Sequence, residues 1–336
     1  MRAVIRDIAA ALPEHVVTNA NLHAEHPEWN FTALAEKAGV TQRRIAADGE
    51  TSLDFGERAC RALLDRHPAL VDLVDILIFC TQTPDHILPP NSCLLHQRLG
   101  LAERVAAFDL PHACSGFIYA ISQARAYIAA GIARHVLIVN ADTYSKLIHP
   151  ADRSARALFG DGATATWVEA TEEARGIVDV VCCTAGSLFD KFIVPAGGCR
   201  HPRSEATGAE VTDESGNVRT AEHIHMSGRD ILAFVNKRIP QHIDEVLARN
   251  QIKREDIDLY VFHQASAMVL DSLTRLLRLP PSKVFRNLDQ IGNTVSASIP
   301  LALVEARAGG RLASPATVLL CGFGAGFSWG TAIVRF

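Results

Sequence analysis

The chain has 336 residues, of which 48% are hydrophobic and 21% are charged, a balance typical of a globular protein of about two domains. Its formal net charge of −4 excludes the broad basic field with which proteins bind nucleic acid or an anionic membrane surface. No stretch approaches the roughly 20 consecutive apolar residues of a membrane-spanning helix. We therefore expect neither nucleic acid nor a membrane among its partners.

The first predicted element lies in MRAVIRDIAAALPEHVV, where Arg6 and Asp7 interrupt the apolar run that a signal peptide needs. A β-strand is the better interpretation of this stretch. The eight cysteines fall mostly in apolar runs and show no C-x-x-C spacing, a pattern typical of proteins in a reducing compartment. We expect a cytoplasmic protein without disulfides and without a zinc site.

Further along the chain, two segments repeat the same order of predicted elements. An apolar strand pattern at 75–83 is followed by a helix, a second strand, a long helix and a third strand, and the pattern at 258–266 opens the same series. Two similar halves of alternating strands and helices predict an α/β protein with parallel sheets covered by helices. We place the halves at 1–172 and 173–336.

In this repeat Cys80 corresponds to His263, and Cys114 corresponds to Asn293 within one residue. Open α/β sheets bind their ligands beyond the carboxyl ends of the strands. If the two halves face each other, the strand ends bring Cys114, His263 and Asn293 to one place. The repeat therefore predicts a three-residue site.

Each of these residues also has a purely structural interpretation. Cys114, in DLPHACSGF, is predicted to start a helix, where free N–H groups favour a thiolate and lower its pKa, although free cysteine is often simply a buried apolar residue. His263 could be an ordinary polar residue after a strand, and Asn293 a turn or N-cap residue. The combination, rather than any single residue, favours a catalytic site.

Five motifs in chain order resemble those of the type III β-ketoacyl carrier-protein synthases of the thiolase superfamily, and they span most of the chain: ACSGFIYAISQA, LFGDGATA, VFHQAS, GNTVSASIPLAL and CGFGAGFSWGTAIVRF. This resemblance implies the thiolase fold, which has five layers, α-β-α-β-α, built from two duplicated α/β halves, and it implies a homodimer. The family's nucleophilic cysteine, histidine and asparagine map onto Cys114, His263 and Asn293.

The resemblance implies a decarboxylative Claisen condensation. Cys114 accepts the acyl group of an acyl-CoA primer, and a malonyl thioester loses carbon dioxide to form an enolate that attacks this acyl group. His263 and Asn293 would donate hydrogen bonds to the enolate oxygen, and the backbone N–H groups of Cys114 and Ala325 would form a second oxyanion hole. The reaction needs no metal, flavin or nucleotide cofactor.

Further residues are implied only by the resemblance. The coenzyme A site would include an aromatic residue and three cations, which suit an adenine and phosphates: Trp29, Lys37, Arg153 and Arg229. Each could equally be an ordinary surface residue. Leu88 stands where the family often has a bulky aromatic residue that reaches into the partner subunit's acyl pocket, so we expect primers longer than acetyl or branched ones.

The residues expected to meet an acyl carrier protein depart from the family pattern. Ala233 and Met268 stand at positions that we match to family cations, Arg275 keeps its charge, and Ser266 replaces a usual asparagine. Lys237 and other nearby cations could compensate, because steering depends on summed charge. We expect weakened carrier docking, an extender on coenzyme A or on a specialised carrier, and a role in a specialised pathway.

Four other interpretations remain at this point. The runner-up is a relative that transfers an acyl group to an oxygen or nitrogen acceptor without condensation. A cysteine hydrolase shares the order Cys, His, Asn, but PHACSGF lacks the papain-type context around the cysteine. A catalytically silent scaffold would keep the fold. A dinucleotide loop at GFGAGF is disfavoured by its glycine spacing and by the strand-like run that follows.

Overall fold

The computed structural model describes residues 1–312 and 315–336. Its strands are β1 (Arg2–Ala11), β2 (Val16–Thr18), β3 (Gln42–Arg44), β4 (Ile76–Cys80), β5 (Ala106–Leu110), β6 (His135–Asp142), β7 (Gly162–Thr171), β8 (Gly176–Thr184), β9 (Phe192–Ile193), β10 (Val211–Thr212), β11 (Val218–Arg219), β12 (His225–Met226), β13 (Leu259–Phe262), β14 (Thr317–Gly324) and β15 (Ser328–Arg335).

The helices connect these strands and cover the sheets. They are α1 (Asn19–Glu25), α2 (Phe31–Ala38), α3 (Ser52–Arg66), α4 (Leu70–Leu73), α5 (Asn91–Leu99), α6 (Gly116–Ala129), α7 (Arg153–Arg156), α8 (Gly228–Arg249), α9 (Ala267–Leu276), α10 (Leu288–Ile291) and α11 (Ser298–Ala308). The first strand lies where the sequence predicts one. Across the described residues, no helix is both long and apolar enough to cross a bilayer.

The first large sheet has the strand order β1-β7-β6-β4-β5. β4 runs parallel to β5 and β6, whereas β7 is antiparallel to β1 and β6. Every residue of β4, ILIFC, is buried. A continuous apolar run of this kind is required of a strand that is covered by helices on both faces of the sheet.

The second large sheet has the order β13-β14-β15-β8 and repeats four of the five strands of the first sheet, namely β4, β6, β7 and β1. β13 and β14 are parallel, and β15 is antiparallel to both of its neighbours, β14 and β8. The counterpart of β5 is reduced to a single parallel bridge between Tyr260 and Val284. Duplicated α/β halves are thus present, while the proposed boundary between 172 and 173 stays a prediction.

Helices α6 and α11 lie between the two sheets and form the middle layer. Their apolar side chains, among them Phe117, Ile121 and Ile299, share one buried cluster with Ile78 of the first sheet and Leu320 of the second. Helices α3 and α5 cover the outer face of the first sheet, and α8 and α9 cover that of the second. The result is the predicted five-layered arrangement.

This architecture places equivalent chain segments at the centre of the molecule. Cys114 lies two residues before α6, and Asn293 precedes the equivalent helix α11 by a short turn. Cys80 ends β4, and His263 directly follows the equivalent strand β13. The correspondence expected from the repeat is therefore present in the fold, and it determines which side chains meet.

Candidate active site

Cys114, His263 and Asn293 line one cavity of about 620 Å³. Its walls are mainly apolar and include six large side chains that the sequence did not single out: Phe159, Phe192, Met226, Phe234, Phe323 and Phe327. A mostly apolar cleft with a few converging polar groups is the usual form of a small-molecule site. The cavity can therefore hold an apolar acyl chain next to a thiol.

Cys114 is held in place by close packing against β14. It is 3% exposed, and a Cβ atom built on Gly324 would lie 2.8 Å from the Cβ and 3.0 Å from the Sγ of Cys114. A Cβ on Gly322 would lie 2.7 Å from the Cys114 carbonyl oxygen. Only glycine leaves room for the cysteine at these two positions of the strand.

The prediction that the helix N-terminus lowers the pKa of the Cys114 thiol is wrong. Burial raises the pKa of the Cys114 thiol well above its ordinary value, and the nearby Asp142 carboxylate raises it further. Removing a charge from water outweighs the favourable effect of the helix N-terminus, because the thiol lies in an apolar cluster with Tyr144, Phe159 and Val295. Burial therefore favours the neutral thiol over the thiolate in the free protein.

His263 is also neutral. It is 2% exposed, and burial lowers the pKa of its imidazole to about 3. Its backbone N–H donates to the Cys321 carbonyl at 2.9 Å, which fixes the residue at the end of β13 beside β14. Its Nδ1 atom is buried and has no hydrogen-bond partner in the described part of the chain. A neutral imidazole in this position acts as a single N–H donor rather than as a cation.

Asn293 is fixed at its backbone and at its side chain. Its N–H donates to the Leu158 carbonyl at 2.9 Å, and its carbonyl accepts from Gly160 N–H at 3.0 Å, which joins the two halves. Its side-chain Oδ1 accepts from Val295 N–H at 3.0 Å, and Nδ2 donates to the Ala265 carbonyl at a long 3.4 Å. The amide is thus oriented through its oxygen, and its weakly bound NH₂ group remains available to a ligand.

Ala325 belongs to the partly buried shell around the same apolar cluster as Cys114. Ser328 Oγ donates to the Ala325 carbonyl at 3.0 Å, and the hydroxyl oxygens of Ser328 and Ser115 are 2.7 Å apart. Ser115 directly follows Cys114, so this chain of hydroxyls ties the cysteine loop to the turn after β14. The segments that carry the backbone N–H groups of Cys114 and Ala325, which the sequence analysis pairs in one oxyanion hole, are therefore joined by hydrogen bonds.

Comparisons with known proteins show which family the chain belongs to. Residues 108–186 match the 3-oxoacyl-[acyl-carrier-protein (ACP)] synthase III model, and residues 247–336 match the model of the synthase III C terminal. The chain is 36% identical to the beta-ketoacyl-[acyl-carrier-protein] synthase III of Rhizobium meliloti, over 100% of both chains. The chain belongs to the 3-oxoacyl-ACP synthase III family.

Other relatives agree. The synthase III of Methylococcus capsulatus is 37% identical, over 97% of this chain and 96% of the relative. The crystal structure of a 3-oxoacyl-(acyl-carrier-protein) synthase III that is 42% identical has a TM-score of 0.97 and covers 100% of both chains. The thiolase-like fold and the condensing acyltransferase class are thereby confirmed, and hydrolase, scaffold and non-condensing transfer are not favoured.

Of the four residues predicted to bind coenzyme A, this synthase places two on the cavity. Lys37 and Arg229 line it. The Arg153 guanidinium does not line the cavity but donates to the carbonyl of Ser215, which is itself a lining residue. Trp29 is not among the lining residues: it is 7% exposed, and its ring stacks on His26 with centroids 3.9 Å apart. Coenzyme A binding by these four residues stays a prediction.

The predicted acyl-pocket gate lies outside this cavity. Leu88 is 79% exposed and the neighbouring Ile87 is 93% exposed, in the loop between β4 and α5. Such exposed apolar side chains favour contact with another protein surface. Leu88 does not line the cavity of its own chain, and its role as an acyl-pocket gate stays a prediction.

Sequence reasoning missed two polar residues close to the synthase site. Asp142 ends β6 and is 1% exposed, and Ser296 follows Asn293 by three residues and donates to the Asp142 carboxylate. The carboxylate is signalled in the sequence by HVLIVNAD, an apolar strand that ends in a charged residue. No pattern in the sequence marks Ser296, 154 positions further along the chain, as the partner of this carboxylate.

Proposed function

We propose that Cys114 is the nucleophile that carries the primer, and that His263 and Asn293 stabilise the enolate of the extender. The observation that supports this proposal is the convergence of these three side chains on one apolar cavity. The family activity joins an acyl-CoA primer to a malonyl thioester, and each step of it requires a group of the kind found here.

The first step transfers the acyl group. The Cys114 sulfur attacks the carbonyl carbon of acyl-CoA, the bond from that carbon to the coenzyme A sulfur breaks, and the proton of the thiol leaves with coenzyme A. Because burial raises the pKa of the Cys114 thiol, the proton must leave as the new bond forms. The N–H groups of Cys114 and Ala325 would stabilise the tetrahedral oxyanion.

The second step makes the carbon–carbon bond. The malonyl thioester loses carbon dioxide, and the electron pair of the broken bond moves into an enolate whose oxygen accepts hydrogen bonds from His263 and Asn293. The enolate carbon attacks the acyl carbonyl, the bond to the Cys114 sulfur breaks, and the thiolate takes a proton from water. Since the pKa of His263 is lowered to about 3, this residue works as a neutral donor.

Coenzyme A would enter past Lys37 and Arg229, whose charges suit its phosphates. We assign Arg153 and Trp29 to the same ligand as predictions, with Arg153 acting beside the Ser215 segment. A homodimer is proposed on the two exposed apolar residues, Ile87 and Leu88. No cofactor is required by the steps above, since decarboxylation drives the condensation, and a cytoplasmic location fits eight cysteines that are all free thiols.

The carrier of the malonyl group is the least constrained part of the proposal. The relatives' names include an acyl carrier protein. In this chain Met268 is 41% exposed and lines the cavity, where the family would place a cation. We retain the prediction of weakened carrier docking, with an extender on coenzyme A or a specialised carrier.

The carrier prediction is tested by comparing kcat/KM for malonyl-CoA and malonyl carrier protein over a range of salt concentrations. We expect malonyl-CoA, or a specialised malonyl carrier, to be the better substrate, with little salt dependence for the general carrier. A strong, salt-sensitive preference for the general fatty-acid carrier would contradict the prediction. It would instead support a role in the ordinary initiation of fatty-acid synthesis.

The central proposal is tested by intact-protein mass after mixing with a panel of acyl-CoA thioesters, and by carbon dioxide release from a malonyl thioester. We expect a covalent acyl adduct, and carbon dioxide release that accompanies formation of a 3-oxoacyl thioester. An adduct without carbon dioxide release would instead support simple acyl transfer. Absence of an adduct with every donor would overturn the nucleophile assignment.

A further inference from the structure

The Asp142 carboxylate is buried next to the active site, and no step proposed above uses it. Its Oδ1 atom accepts from Gln82 N–H at 2.8 Å and from Thr81 Oγ1 at 3.3 Å. Its Oδ2 atom accepts from Ser296 N–H at 3.2 Å and from Ser296 Oγ at 2.5 Å. Both oxygens are therefore occupied, each by a different segment of the chain.

These contacts join the two halves of the molecule. Thr81 and Gln82 follow β4 in the first sheet, whereas Ser296 lies in the short turn before α11, in the half that carries Asn293. A buried carboxylate is costly unless hydrogen bonds compensate for its lost hydration. An apolar side chain would fill the same space at lower cost, so packing alone does not explain Asp142.

The segment between Asn293 and Ser296 contains a strained residue. Val295 has a φ of 54°, in the left-handed region that β-branched residues almost never occupy, and it is fully buried. In this conformation its N–H points to the Asn293 side chain and donates to Oδ1 at 3.0 Å. Because a carboxamide is planar, fixing Oδ1 also fixes the position of Nδ2.

A strained conformation persists only where the surrounding structure holds it. Asn293 is held on one side of Val295 by backbone hydrogen bonds to residues 158 and 160, and Ser296 is held on the other side by Asp142. The two anchors leave Val295 no freedom to relax. Release of the second anchor would allow φ to return to negative values and would turn the Asn293 amide away from its present orientation.

We propose that Asp142 is a positioning residue for the Asn293 amide, an inference that rests on the proposed role of Asn293. The two hydrogen bonds from Ser296 to Asp142 hold Val295 in the left-handed conformation. Val295 in turn orients the Asn293 amide toward the enolate. Asparagine cannot replace Asp142, because an amide has a single acceptor oxygen and its NH₂ would face an N–H donor at Gln82 or at Ser296.

The first test separates the two half-reactions in the Ser296→Ala and Asp142→Asn variants. We expect carbon dioxide release from malonyl-CoA to fall by roughly 10- to 100-fold in both, the size of effect that misplacement of a reacting group produces. Formation of the acyl adduct on Cys114, followed by intact mass, should continue and shows that each variant is folded. As a matched control, Ser272→Ala removes a buried serine hydroxyl that bonds to Asn236 in α8, and should leave both half-reactions unchanged.

A second test asks whether the effect passes through Asn293. In an Asn293→Ala background, Ser296→Ala should cause no further loss of decarboxylation, because the amide that it orients is already gone. In the Ser296→Ala background, Val295→Gly should restore much of the lost rate, since glycine adopts positive φ without strain. Val295→Ala, which removes similar bulk but keeps a Cβ, should not restore it.

These outcomes distinguish the inference from the function on which it rests. Unchanged decarboxylation in Asn293→Ala would overturn the proposed role of Asn293. A large loss in Asn293→Ala, together with normal rates in Ser296→Ala and Asp142→Asn, would overturn the positioning role alone. Losses from Ser296→Ala that multiply with those of Asn293→Ala, or that Val295→Gly does not rescue, would also contradict it.

Discussion

Two equivalent segments carry the residues to which we assign the two steps of the reaction, and they are held in different ways. The cysteine junction (residues 111–115) precedes α6, and the asparagine junction (residues 292–297) precedes α11. The cysteine junction is held mainly by contact, since glycines 322 and 324 of β14 pack against Cys114 so closely that neither position has room for a Cβ, and one contact between the Ser115 and Ser328 hydroxyls adds to it. The asparagine junction is held by hydrogen bonds to the opposite half, at residues 158, 160 and 142.

The difference follows from what each group must do. A nucleophile needs its sulfur at one point in space, which close packing provides. A hydrogen-bond donor needs a direction as well, and directed hydrogen bonds to its own oxygen and backbone provide that. Duplication of the fold therefore supplies two equivalent positions, and their different surroundings suit the different steps that we propose for them. The first predictions below alter the cysteine junction, and the later ones alter buried and exposed residues around the two junctions.

The largest effect is expected at the cysteine junction itself. Cys114→Ala removes the sulfur that we propose carries the acyl group, so both the acyl adduct and condensation should be lost completely, while the fold is kept because the change only reduces volume. Cys93→Ala, at an exposed cysteine, serves as the control and should retain a full adduct. Persistence of an adduct on another cysteine in Cys114→Ala would disprove the assignment.

The next effect tests whether contact positions the sulfur. Gly324→Ala introduces a Cβ within 3.0 Å of Cys114 Sγ, and we expect the rate of acylation to fall by about 100-fold through displacement of the nucleophile. The rate is measured by intact mass over time. Gly49→Ala, at a glycine with open space around it, should acylate normally. Normal acylation by Gly324→Ala would show that the cysteine junction is not held by this contact.

A smaller effect concerns stability and pH. Burial lowers the pKa of His263 from 6.5 to about 3, so between these values the unfolded chain binds more protons and stability is lost as the pH falls. Burial raises the pKa of Asp142 from 3.8 to about 7, so this carboxyl opposes that trend, with stability lost as the pH rises.

Replacing His263 and replacing Asp142 should therefore change the pH dependence of the unfolding free energy in opposite directions. His263→Gln should reduce the loss of unfolding free energy on acidification from pH 6.5 to 4.5, by up to about 1.4 kcal/mol per pH unit, and Asp142→Asn should increase it. Urea unfolding at several pH values measures both, with His201→Gln at an exposed histidine as the control. Equal pH dependence of the unfolding free energy in the unaltered protein and in all three variants would contradict the burial argument.

The smallest effect concerns primer choice. If Leu88 enters the partner's acyl pocket, Leu88→Phe should lower kcat/KM for longer or branched primers about 10-fold relative to acetyl-CoA, because it shortens the space available. Primer competition measures this ratio, and Ile87→Phe at the adjacent exposed residue is the control. A strict preference for acetyl-CoA in the unaltered enzyme would refute the interpretation of Leu88.

The repeated order of strands and helices was sufficient to predict two α/β halves and the three converging residues, because it makes Cys114 equivalent to Asn293 and Cys80 equivalent to His263. The five-layered thiolase fold was implied by the resemblance of five motifs to the family. The sequence could not predict the pKa of Cys114, which depends on burial in a cluster assembled from distant segments. It also missed the contact between Gly324 and Cys114 and the bond between Asp142 and Ser296. Both join residues more than 150 positions apart, and no local pattern marks them.

The most direct test of the account measures both half-reactions in one preparation of Asn293→Ala and one of His263→Ala. Each protein is mixed with acyl-CoA, and the Cys114 adduct is followed by intact mass, while carbon dioxide release from malonyl-CoA is measured in parallel. The account predicts that decarboxylation falls by roughly 10²–10³-fold and that acylation of Cys114 continues. Loss of acylation with decarboxylation intact would contradict the assignment of acyl transfer to Cys114 and of enolate stabilisation to His263 and Asn293.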